Sequence, residues 1–107
     1  MTRLRYHEAA EAELLREVGY LERRTQKLGR RFFSEVRRSE ELILQFPQAA
    51  EEIVPGIRKR LLRQFRYALI YTVEREGLLI LAEAHQSHRP GYWLSRIYPE
   101  NDSGASR

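Results

Sequence analysis

The sequence predicts an α+β domain: an N-terminal strand, an antiparallel helical hairpin, then a three-stranded antiparallel sheet. Three observations predict it. Apolar residues recur at helical spacing over two adjacent segments before Pro47, and in short strand-like runs after Pro55. Gly or Pro punctuates the chain where one pattern gives way to the next. Helices grouped before a run of strands give a sheet with the helices packed on one face.

The elements follow in order. Arg3-Leu4-Arg5-Tyr6-His7 alternates and reads as a first strand. Residues 8–24 read as a helix, with Ala10, Leu14, Val18 and Leu21 forming its apolar stripe. Thr25-Gln26-Lys27-Leu28-Gly29 interrupts it. A second helix runs to about residue 46, with Phe32, Val36, Ile43 and Phe46 on its buried face, and Pro47 stops it. A short break between two helices predicts an antiparallel hairpin. Residues 47–57, with Pro47, Pro55 and Gly56, read as a connection. Strands are predicted over 58–63, 67–73 and 78–85, the last two joined by a Glu74-Arg75-Glu76-Gly77 turn. Residues 1–98 make one domain, and the small, polar residues 99–107 read as a disordered tail.

The totals exclude several classes. Hydrophobic residues at 42% and charged residues at 32% fit a folded chain with one modest core. No apolar run approaches the ~20 residues needed to span a bilayer, and the N-terminus has no apolar signal-peptide core. The chain has no cysteine, which excludes disulfides and thiolate chemistry and fits a cytoplasmic location. The net charge is +4, and of the 19 Lys and Arg residues all but Lys27 and Lys59 are Arg. Arg favours bidentate contacts to phosphate or carboxylate, so the partner is expected to be anionic: nucleic acid or an acidic protein surface.

Two clusters are candidates for function. The first is the basic run Arg58, Lys59, Arg60, Arg63 and Arg66, which no acid interrupts. Strand periodicity puts Arg58 and Arg60 on one face and Lys59 and Arg63 on the other. The alternative is a solvated strand whose long side chains cover apolar surface. The second cluster, His85 to Trp93, holds two of the three His, Arg89, Tyr92 and the only Trp. Arg89 with His85 or His88 could serve RNA cleavage, which needs a base, an acid and a cation at the phosphate. The competing reading has His85 capping the last strand and Arg89 paired with Glu83. Trp93 reads as core at one end of the sheet, or as a platform for a base. Tyr67 and Tyr71 share a strand face and read as core. His85 and His88 are not joined by a third metal ligand, and no Gly-rich phosphate loop or nucleophile elbow exists, so no metal or other cofactor is expected.

Leu28-Gly29-Arg30-Arg31-Phe32, Phe46-Pro47, Arg60 through Tyr71, and His85 through Trp93 with Arg96 together resemble the RelE/ParE superfamily of toxins from type II toxin–antitoxin systems. The likeness covers about residues 3–97 and is greatest to the ParE-like, plasmid stabilization branch. Arg66 stands where a Pro often separates the matching aromatic pair, here Phe65 and Tyr67. The resemblance implies one strand, a helical hairpin and an antiparallel strand series. It also implies growth arrest, a cognate antitoxin forming a hetero-oligomer with the toxin, and a cytoplasmic target with no membrane role. ParE-like members poison DNA gyrase and are not enzymes, whereas RelE-like members cleave mRNA on the ribosome. Arg58, Arg60, Arg63 and Arg89 are the candidates for target binding. Arg60, His85, His88 and Arg89 are the candidates for catalysis if the chain is a ribonuclease. An inactive scaffold that retains only its interactions is a third possibility.

Overall fold

A computed structural model describes residues 3–98, and the predicted tail lies outside the described residues. The order is β1 (Arg3–Tyr6), α1 (Glu8–Arg24), α2 (Leu28–Gln45), β2 (Glu51–Val54), β3 (Ile57–Leu61), β4 (Tyr67–Glu74), β5 (Gly77–His85) and a 3-10 helix (Tyr92–Arg96). One five-stranded sheet runs β1-β5-β4-β3-β2. Strands β2 to β5 pair antiparallel, and β1 lies parallel to β5 at the edge.

The α+β class, the hairpin and the three later strands are as the sequence predicts; the strand count is not. Residues 51–54, expected within a connection, form β2. They run in register with β3, Glu51 opposite Lys59 and Glu52 opposite Arg58, and the Glu52 carboxylate accepts from the Gly56 amide at 2.7 Å, fastening the turn between the two strands. Strand β3 also ends at Leu61 rather than Arg63.

The helix ends follow local chemistry. His7 caps α1, its Nδ1 accepting from the Ala9 amide at 3.0 Å, and Glu8 and Glu11 open the helix while Arg23 and Arg24 close it, complementing its dipole. The break lies at Lys27, which adopts the left-handed conformation (φ 72°). Gly29, expected in the break, is inside α2, where a Cβ would stand 2.3 Å from the Val18 carbonyl oxygen. The glycine is there for close helix packing, not for a turn. The Glu22 carboxylate of α1 then accepts from the amides of Lys27 (2.8 Å) and Gly29 (2.9 Å), satisfying the start of α2. Phe46, expected on the buried face, is 57% exposed. It is the residue that leaves the helix (φ −134°, ψ 68°), so the helical periodicity no longer fixes its direction.

Both faces of the sheet are covered, by different means. Ala10, Leu14, Phe32, Val36 and Ile43 from the hairpin pack on Tyr67, Leu69, Tyr71, Leu78 and Ile80. On the opposite face Ile57, Ala68, Ile70, Leu81 and Ala82 gather round Trp93, which is buried. Tyr71 is also core, its hydroxyl donating to the Pro47 carbonyl at 2.6 Å. The β4–β5 register shifts after Ile70, which faces Ala82 while Tyr71 faces Ile80, so Leu81 is the extra residue of a bulge.

Candidate functional site

The alternation of β3 and the path of the chain after β5 build a groove on the face away from the helices. Arg58 and Arg60 pair with Tyr71 and Leu69, whose side chains belong to the helix-side core. Lys59 and Leu61, between and beyond them, therefore point to the other face. After His85 the chain turns through Pro90 and Gly91, which holds φ 79° ahead of the 3-10 helix. This returns Tyr92 and Trp93 over the sheet. Between them lies a cavity of about 270 Å³, floored by Ala68, Ile70 and Trp93 and rimmed by Lys59, His88 and Arg89.

The rim rings have fixed surroundings. His88 stacks on Tyr92 with ring centroids 4.7 Å apart. His85 stands edge-on to Tyr67 at 4.8 Å. Its Nδ1 accepts from the Ser87 amide at 3.0 Å, which places the proton of the neutral ring on Nε2. That ring is oriented as a donor, and the expected capping role for His85 is met within its own turn.

Among the sequence-predicted residues, the structure brings together His85, His88 and Arg89, all of which line the groove. It does not bring Arg58, Arg60 and Arg63 to them. The Arg58 guanidinium donates to the Gln48 (3.0 Å) and Ala50 (2.7 Å) carbonyls, fastening the α2–β2 connection to the sheet. Arg60 shares that helix-side face, and Arg63 lies beyond the end of β3, where its amide donates to the Glu35 carboxylate at 3.1 Å. The Arg89–Glu83 pair does not form: Glu83 is 1% exposed, and neither of its carboxylate oxygens has a partner among the described residues.

Residues 4–90 match the family described as ParE toxin of type II toxin-antitoxin system, parDE. The chain belongs to the ParE toxin family. It is thus a toxin of a type II toxin–antitoxin system, a class that implies a cognate antitoxin partner. No curated protein matches it. Among the described residues no helix of this ParE-family toxin is long and apolar enough to cross a membrane.

Sequence reasoning missed a polar centre that anchors the 3-10 helix of the toxin. Strand β1 ends at Tyr6 opposite Ile80, so it pairs with only the first half of β5. At the uncovered second half, the Glu13 carboxylate of α1 accepts from the Glu83 amide at 3.0 Å. It also accepts from Tyr92 at 2.9 Å and from Arg96 at 2.7 and 3.1 Å. Arg96 donates further to the Leu81 carbonyl at 2.8 Å. Burial pushes the Glu13 carboxyl up, but these hydrogen bonds and the Arg96 charge outweigh it and hold it below the usual range. The Glu13 bonds raise the Arg96 guanidinium against its own desolvation. Burial, then the charge of Glu13, pushes the Tyr92 phenol up. A signal was available: Glu13 and Glu17 fall within the Ala10-Leu14-Val18-Leu21 stripe, where an acid must find a buried partner.

Proposed function

We propose that this toxin arrests growth by binding and poisoning DNA gyrase, with Lys59, His88 and Arg89 at the groove rim as the contact surface. One observation carries this reading: the cationic residues divide between the two faces of the sheet. Phosphodiester cleavage needs base, acid and charge-stabilising cation around one phosphate. Arg58 and Arg60 are turned away from His88 and Arg89, which leaves Lys59 and Arg89 as the cations at the groove rim. Capture of an acidic protein surface has no such requirement, because rim charges act by complementarity over a whole patch. The antitoxin forms a hetero-oligomer with the toxin, and both act in the cytoplasm, where the target resides.

Ribosome-dependent mRNA cleavage is the second reading. It is favoured by the presence of Lys59, His85, His88 and Arg89 around one groove wide enough to take a base. Expression of the toxin in cells, followed by assays of DNA breaks and supercoiling beside mapping of mRNA ends, separates the two. Gyrase-dependent breaks are the expected result. Codon-phased cleavage of translated mRNA with intact DNA would transfer the proposal to the second reading, and the absence of both would leave an inactive scaffold.

A further inference from the structure

A second cavity, of about 100 Å³, lies on the helix side between α1 and the end of β5. Glu83 lines it, and both its oxygens are buried without a partner among the described residues. Unpartnered buried carboxylates are rare because each loses hydration with nothing in return. Every neighbouring ionisable group is otherwise engaged or exposed. From α1, Glu13 is held by Arg96 and Tyr92, and Glu17 accepts from the Tyr67 hydroxyl of β4. Arg16 is exposed at the mouth and makes no ion pair with Glu83. His85 and His88 complete the wall. Among the described residues, the carboxylates of Glu13, Glu17 and Glu83 are thus met by two guanidiniums, Arg16 at the mouth and Arg96 on Glu13, and one negative charge is uncompensated when all are ionised.

We propose that this cavity is a binding site for a single guanidinium group, presented as an arginine side chain by a partner protein. The two free Glu83 oxygens match the parallel N–H pair of a guanidinium. The Tyr67 and His85 rings also line the cavity, and a guanidinium loses hydration more readily than an ammonium. The volume, roughly that of three liquid waters, suits the head group and not a larger ligand. A metal ion is a poorer match: among the described residues no group of three or more His, Cys, Asp or Glu could hold one. The site reads a positive side chain within a basic protein, so it selects against partners that offer acids alone. It stands whether the target is gyrase or the ribosome.

Burial, then the charges of Glu17 and Glu13, pushes the Glu83 carboxyl up to about 8. Near pH 7 the empty site therefore carries a proton on Glu83, and guanidinium binding releases it. The test uses the full chain with three probes: N-acetyl-arginine methylamide, N-acetyl-lysine methylamide and methylguanidinium chloride. The readout is the ¹³C shift of the Glu83 carboxyl at pH 7. The arginine probe is expected to move that signal to its ionised position and to bind more tightly than either other probe. Its affinity should fall at least about tenfold in Glu83→Gln and less in Glu17→Gln. If Glu83→Gln fails to fold, the wild-type carboxyl shift decides alone. An unmoved signal with every probe would show a cavity that holds only water and overturn the proposal. So would equal binding of the lysine probe, affinity unchanged in a folded Glu83→Gln, or binding of methylguanidinium with the arginine amide excluded.

Discussion

The two faces of the sheet handle charge in opposite ways. On the helix side, ionised groups are bound into the architecture: Arg58 holds two backbone carbonyls, Glu40 accepts from Tyr6 at 2.5 Å and from Arg37 at 2.7 Å, and Glu13 ties Arg96 to α1. On the groove side, Lys59, His88 and Arg89 surround an apolar floor and make no ion pair among the described residues. Adjacent residues of one strand, Arg58 and Lys59, fall on either side of this division. A basic run in a strand is therefore two sets of charges, and only the set without structural partners is at liberty to meet a target.

The largest test of this comparison removes the groove's floor. Trp93 is 5% exposed, and Trp93→Ala should lower stability by about 3–5 kcal/mol, measured by urea unfolding. A loss below about 1 kcal/mol would mean that the 3-10 helix is not part of the core. Arg96→Ala comes next. It leaves Glu13 without its cation at a pair whose side chains are 14% and 10% exposed. The expected loss is about 2–4 kcal/mol, and an unchanged melting temperature would detach the 3-10 helix from α1.

Glu83→Gln sharpens the contrast through pH. The folded carboxyl titrates at about 8, above its unfolded value of about 4.3. The folded state therefore holds the extra proton, and this contribution is fully present below about pH 4.3 and lost as pH rises through 8. Glu83→Gln should match the wild type near pH 4 and exceed it at pH 8.5, by on the order of 4–5 kcal/mol, in thermal melts at the two pH values. Equal stabilities at pH 8.5 would refute the buried, protonated carboxyl. The smallest effect is expected at Arg58→Ala, about 1–2 kcal/mol for the lost bonds to Gln48 and Ala50, with toxicity retained.

The sequence showed most of the fold, because the stripes of α1 and α2 and the alternation of β4 and β5 each bury a face. It hid β2, because Glu51 and Glu52 look like a polar connection until β3 supplies the ladder they pair with. It misplaced Phe46, since a helix's period ends where its backbone does. For the site, His85, His88 and Arg89 were legible as a dense local cluster. Arg58 was legible as basic but not as structural, because its carbonyl partners come from the α2–β2 connection, and Arg60 was legible as basic but not as turned toward the helix-side core. Glu13 is separated from Glu83 and Arg96 by most of the chain, and only the short β1, which leaves half of β5 uncovered, brings them together.

The most direct measurement compares growth arrest by Lys59→Ala/Arg89→Ala with that by Arg58→Ala. Each is induced in cells, with folding checked by circular dichroism and antitoxin capture, and DNA breaks scored in parallel. The groove-face double variant should remain folded, bind antitoxin, and lose both arrest and gyrase-dependent breaks, while Arg58→Ala still arrests growth. Full toxicity of the double variant, with loss of toxicity in a stably folded Arg58→Ala, would place the working surface on the helix side and contradict the account.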